Sequence, residues 1–164
     1  ITRTAGEAQE VASRTFPART GFAPSTSLSS RLWLYVSVTG TDVTTAPRAL
    51  VVDDDDDVGR AFTKVLERAG FSVQRARAGN EAISMLESVG PFDAAVVDLV
   101  LPGAGGLEVV RQLRQVHPDC RIVAVTGLAA PAIEAAFRTA GADEFLVKPV
   151  EMAALLAAVG APPA

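Results

Sequence analysis

The sequence has little of the residues on which site chemistry is commonly built. Its 164 residues include one cysteine, Cys120, and one histidine, His117. A single thiol excludes an intramolecular disulfide framework and a cysteine-based zinc knuckle. A single imidazole excludes a multi-histidine metal site. Aromatic residues are 5% of the chain, with one Trp and one Tyr. No purely apolar run approaches the ~18 residues that a membrane span needs. An excess of basic charge is missing as well. Fifteen Lys and Arg face nineteen Asp and Glu, for a net charge of −4, which argues against a strongly basic nucleic-acid binder. There is no Gly-Lys pair, hence no P-loop. Gly103-Ala104-Gly105-Gly106 lacks the third glycine of a dinucleotide loop, because Glu108 stands there. Chemistry is left to carboxylates, hydroxyls, lysine and backbone.

The charge is unevenly spread. Residues 1–48 hold five Arg against three acids, whereas the remainder holds ten basic and sixteen acidic groups. The first stretch is rich in Ser, Thr and Arg and shows no sustained period, apart from the apolar residues 32–38. Residues 1–46 are therefore expected to be a largely disordered extension. Residues 32–38 are expected as a stray strand or as a patch docked on the domain. The chain opens on Ile1 rather than Met, as a fragment, a processed chain or a frame drawn too far upstream would. Its Arg- and Ser-rich start is similar to a transit peptide. The natural domain is expected to begin near Val43.

From Ala49 onward, apolar runs alternate with helical periods. Ala49-Leu50-Val51-Val52, Ala94-Ala95-Val96-Val97 and Ile122-Val123-Ala124-Val125 suit strands buried on both faces. Residues 71–76 and 145–147 complete a set of five. Between them lie helical faces. Val58, Ala61, Phe62, Val65, Leu66 and Ala69 form the first, and Ala82, Ile83, Leu86 and Val89 the second. Leu107, Val110, Leu113 and Val116 form the third, and Ile133, Ala136, Phe137 and Ala140 the fourth. Met152, Leu155, Leu156 and Val159 mark a short fifth helix. Five βα units are too few for a closed barrel and predict an α/β doubly wound parallel sheet with helices on both faces. A domain over 47–159 and a tail over 160–164 follow.

Ligands of such sheets bind beyond the carboxyl ends of the strands. There the sequence places residues 53–57, all Asp, then Asp98, then Thr126-Gly127, then Lys148-Pro149. Several carboxylates in one pocket repel one another unless a cation is present. Oxygen-only ligands suit Mg2+. An ammonium and a hydroxyl beside a carboxylate and a cation make a phosphoryl site, in which the carboxylate can attack phosphorus. Asp53 and Asp54 are the expected site acids of the run. Asp55 and Asp56 read as solvated, and Asp57 as a cap of the first helix. His117 reads as a helix-end residue, and Cys120 as packing rather than reactive.

Four segments carry a resemblance: Leu50-Val51-Val52-Asp53-Asp54-Asp55, Val97-Asp98-Leu99-Val100-Leu101-Pro102-Gly103, Val125-Thr126-Gly127 and Leu146-Val147-Lys148-Pro149. Together, in this order, they resemble the receiver domain of bacterial two-component response regulators, over about 47–159. The resemblance implies a flavodoxin-like fold with strand order 2-1-3-4-5. It implies Asp98 as phosphoacceptor, with Asp53, Asp54, Asp98 and the backbone carbonyl of Val100 around Mg2+ or Mn2+. Thr126 and Lys148 would hold phosphoryl oxygens, and Phe145 would be the switch aromatic. A cis-type peptide is expected before Pro149. The implied partner is a sensor histidine kinase or a histidine phosphotransfer protein in the cytoplasm, without direct nucleic-acid or membrane binding. A phosphorylation-dependent dimer through the fourth helix, fifth strand and fifth helix is a further implied state. The only implied chemistry is self-phosphorylation and self-dephosphorylation, so an enzyme acting on other substrates is not expected.

Some positions depart from the family pattern. Asp56 stands where Pro is frequent and Gly105 where an acid is common. Val100 and Leu128 are apolar at positions that tune dephosphorylation in the family, so a longer-lived phosphoryl state is expected. Two other functions compete. A haloacid-dehalogenase-type phosphohydrolase would use Asp53-x-Asp55 weakly, but its later acidic motif is missing. A docking module independent of phosphorylation would have no use for a complete acceptor site.

Overall fold

Ala49, Leu50, Val51 and Val52 are apolar in succession because their strand is covered on both faces. The computed structural model describes residues 46–160. Within it β1 (Arg48–Val52) leads to α1 (Asp56–Arg68), β2 (Ser72–Ala76), α2 (Gly79–Ser88) and β3 (Ala94–Asp98). There follow α3 (Gly106–Val116), β4 (Arg121–Thr126), α4 (Pro131–Ala140), β5 (Glu144–Val147) and α5 (Met152–Val159). The strands form one sheet in the order β2-β1-β3-β4-β5, and every pair is parallel. The doubly wound sheet expected from the sequence is thus observed, with its strand order. The apolar residues 32–38 and the extension over 1–46 lie outside the described residues, apart from residue 46 itself.

Alternate strand residues feed two cores. Leu50, Val52, Ala95, Val97, Ile122 and Ala124 pack with Leu86, Val110, Leu113 and Phe137, under α2, α3 and α4. Ala49, Val51, Val96, Val123 and Val125 pack with Phe62, Leu66 and Leu155, under α1 and α5. Burying one such Leu or Phe side chain contributes roughly 1.5–3 kcal/mol. The chain leaves β1 for β2 on one side and returns to β3 on the other. The carboxyl ends of β1 and β3 therefore flank the crevice where the winding reverses.

The outer elements are less buried than their sequence suggests. Ala136, expected on the inner face of α4, is exposed, and Phe137 is the helix's buried residue. The cause is the sheet edge: β5 is the outermost strand, with Phe145 and Leu146 half-buried and Val147 exposed. Met152, expected on the inner face of α5, opens that helix and stays exposed.

The helix cap is also corrected. Asp55, not Asp57, caps α1: its carboxylate accepts the N–H groups of Asp57 and Val58 at 2.8 and 3.2 Å. A cap needs extended backbone just before the helix, and Asp55 has it (φ −77°, ψ 114°). Asp57 lies inside the first turn and pairs with Arg60 at 2.7 Å. Among the described residues no helix is long and apolar enough to cross a membrane.

Candidate functional site

The site grows from four strand ends. β1 stops at Val52, but the N–H of Asp53 still donates to the Ala76 carbonyl at 3.1 Å. That bond extends the pairing with β2 by one step and draws the Asp53 carboxylate inward, leaving the residue 2% exposed. Asp98 is the last residue of β3 rather than the first beyond it, and is 7% exposed. α3 begins almost on top of it. A Cβ at Gly106 would overlap the Asp98 carbonyl, so only glycine fits there. Thr126 closes β4 and is fully buried.

Register brings the fourth group in. Asp98 pairs with Val125, and Thr126 with Val147, so Lys148 is the next residue out. Its N–H donates to the Thr126 carbonyl at 2.8 Å. Its Nζ donates to Asp53 Oδ2 at 2.8 Å and to Asp98 Oδ2 at 2.6 Å. The Lys148–Pro149 peptide is cis. Asp54 is exposed at the mouth, and carboxylate oxygens of Asp53, Asp54 and Asp98 lie within 4.8 Å of one another.

Burial and charge oppose each other here. Burial raises the pKa of Asp53, against the hydrogen bonds from Lys148 and the Asp55 N–H. For Lys148 burial works against the charge, but hydrogen bonds and attraction from both carboxylates outweigh it, so its pKa is raised. The ammonium remains a fixed positive charge between two buried acids.

Two backbone amides reach the site residues while their own apolar side chains face solvent. Val100 N–H donates to Asp98 Oδ1 at 3.2 Å, and Leu128 N–H to Thr126 Oγ1 at 3.0 Å. Val100 and Leu128 are 62% and 55% exposed. Phe145 is not part of the acid cluster. Its ring packs against Phe137 of α4, centroids 6.3 Å apart.

The rest of the acidic run is distributed. Asp55 is committed to the α1 cap. Asp56, expected to be solvated, is held by Arg75 at 3.3 Å and Arg77 at 3.2 Å, both from the β2 end. His117 caps the end of α3 and meets Phe92 edge-on, away from the site. Cys120 is buried, and burial pushes its thiol up to about 12. Sequence reading missed Asn80, whose Oδ1 accepts the N–H of Ala104 at 3.1 Å, in the loop that follows Asp98. An Asn one position after Gly79 carries no local signal of that contact.

Residues 49–160 match the family model for the response regulator receiver domain. The chain belongs to that family. A response regulator MprA of Mycolicibacterium vanbaalenii is 41% identical over 110 residues, covering 67% of this chain and 47% of that protein. A protein named cyclic di-GMP phosphodiesterase, of Thermotoga maritima, is 38% identical over 103 residues, covering 63% of this chain and 27% of that protein. The chain thus spans about half or less of the length of these curated relatives. A crystal structure of a response regulator from Burkholderia pseudomallei, with a phosphorylated aspartic acid, calcium ion and citrate, superposes with a TM-score of 0.64. It is 34% identical over 69% of this chain and 66% of that one.

A receiver domain is a phosphoacceptor switch of two-component signalling. The donor set also fits a hard divalent cation. Every candidate ligand is oxygen, the carboxylate oxygens are close enough to share one ion, and the exposed Asp54 leaves room for the waters that Mg2+ retains.

Proposed function

We propose that Asp98 accepts a phosphoryl group from the phosphohistidine of a sensor histidine kinase or a histidine phosphotransfer protein. The observation that carries this is the Lys148 ammonium joined to both Asp98 and Asp53 at one buried sheet edge. A carboxylate oxygen of Asp98 attacks phosphorus in line, forming a P–O bond as the P–N bond to the donor imidazole breaks. The electron pair of that bond leaves with the imidazole. Lys148 holds a phosphoryl oxygen and supplies charge where charge builds up. Thr126, once its hydroxyl turns from the Leu128 amide, donates to another.

Asp53, Asp54, Asp98 and the Val100 carbonyl would hold Mg2+, or Mn2+ in its place. Bound there, the ion would neutralise phosphoryl oxygens. New charge at Asp98 then biases Thr126 and Phe145 between two arrangements and alters the α4–β5–α5 face. That face is the proposed surface of a phosphorylation-dependent dimer. The proposed setting is the cytoplasm, and the proposed chemistry of the domain itself ends at gaining and losing the phosphoryl group.

The hydrolase alternative is disfavoured by one contact set. Its second acid would be Asp55, whose carboxylate is occupied by the α1 amides. Incubation with acetyl phosphate and Mg2+ tests the proposal. We expect the mass of one added phosphoryl group, abolished by Asp98→Ala. Turnover of a phosphate ester, lost with Asp53 but not with Asp98, would favour the hydrolase.

A further inference from the structure

The loop from Leu99 to Gly105 carries the Val100 carbonyl, yet few apolar anchors hold it. Val100, Pro102, Gly103 and Gly105 are exposed. Its two ends are tied by backbone: Leu99 N–H donates to the Val125 carbonyl at 3.0 Å, and Gly106 N–H to the Leu99 carbonyl at 3.2 Å. Val100 N–H donates to Asp98 Oδ1 at 3.2 Å and Leu101 packs against the core, while the Pro102–Ala104 turn is tied by the start of α2. Gly79 N–H donates to the Pro102 carbonyl at 3.2 Å, and Asn80 Oδ1 accepts the Ala104 N–H at 3.1 Å.

The fit is close on both sides. A Cβ at Gly79 would overlap the Ala104 carbonyl, so a side chain there would push the loop outward. The Asn80 amide lies against Gly103, where a Cβ would stand 3.1 Å from Nδ2. Asn is a weak helix former, and at this exposed position no core packing asks for it. Nor does it cap its own helix: Ala78 occupies the cap, and α2 has no side-chain cap bond. The Asn80 side chain is directed at the loop instead.

We propose that Asn80 is a positioning residue for the cation: it holds the Pro102–Ala104 turn, and through it the Val100 carbonyl, at the place an octahedral ion demands. Asn80 does not touch the ion. It acts through the Ala104 amide, three peptide units beyond the one that carries the Val100 carbonyl. Mg2+ tolerates little departure from octahedral geometry, and outer partners of metal ligands commonly change affinity by about tenfold or more. The proposal rests on the reading that the Val100 carbonyl is a ligand.

The test is a calorimetric Mg2+ titration of the full chain, with amide exchange of Ala104 followed by NMR without metal. Asn80→Ala should weaken Mg2+ binding about tenfold and speed Ala104 exchange, while the urea midpoint stays near that of the parent. Asn80→Asp keeps the accepting oxygen and should restore both; titrating in high salt screens its added charge. Parental affinity in Asn80→Ala, or an equal loss in Asn80→Asp, overturns the proposal while leaving the cation reading intact. A parent chain that binds no Mg2+ overturns the cation reading and the proposal together.

Discussion

Lys148 Nζ lies 2.6 Å from Asp98 Oδ2 and 2.8 Å from Asp53 Oδ2, bridging two acids that reach it from different strands. Both acids are nearly fully buried, so each depends on this one ammonium for a counter-charge. Removing one partner of a buried ion pair leaves uncompensated charge, which costs far more than the pair itself contributes. Lys148→Met should therefore lower stability by about 3 kcal/mol in EDTA. A cation between the same carboxylates replaces the missing charge, so Mg2+ should recover at least half of that loss. Urea unfolding in Mg2+ and in EDTA measures both. An equal loss in the two conditions would show that the acids do not share a cation.

Val100 presents its amide to Asp98 and its isopropyl group to solvent. Nothing in that side chain can orient a water. Val100→Asn should speed loss of the phosphoryl group by about three- to tenfold, the value of one net hydrogen bond. The decay of the phosphorylated mass over time gives the rate, and an unchanged rate would count against a role for this position.

The five-Asp run offers a comparison of neighbours. Asp55→Ala removes the α1 cap and should cost about 1 kcal/mol. Asp57→Ala removes an exposed pair with Arg60 and should change stability by less than about 0.5 kcal/mol. Chemical unfolding of the two variants side by side checks the order, which would reverse if Asp57 were the cap.

Burial holds the Cys120 thiol at about 12. At pH 8 roughly one thiol in ten thousand is then thiolate, the reactive form. A disulfide reagent should label the native domain far more slowly than the denatured one, with the native rate rising as pH approaches that value. Since the thiol is protonated in both states at neutral pH, its burial carries no ionisation penalty there. Stability falls as pH climbs through the alkaline range, where the unfolded thiol ionises and the folded one does not. Native labelling as fast as that of a free thiol would contradict the burial.

Legibility followed burial. β1, β3 and β4 announce themselves because both of their faces are covered, so their central positions are apolar in succession. β5 and α4 sit at the sheet edge, where half the pattern meets solvent, and there Ala136 was placed on the wrong side. The cap was misplaced for another reason. Five identical side chains are all chemically able to cap, and backbone dihedrals alone select Asp55. The partners of Asp56 were hidden because Arg75 comes from β2 and Arg77 from the residue just beyond it, across the parallel pairing. Asn80 was hidden likewise, since its partner Ala104 is 24 residues away.

The sequence by itself determined the βα rhythm, the strand ends and the residue types standing there. Those are local properties: an apolar run or a helical period is written in adjacent residues, and an Asp after a buried strand falls at a sheet edge wherever that strand lies. Only the tertiary structure decided which ends meet. Parallel register sets Asp98 beside Val125 and Thr126 beside Val147, and so carries the Lys148 ammonium to two acids that lie 50 and 95 residues away along the chain. Charge interactions act through space, and only the folded register supplies those distances.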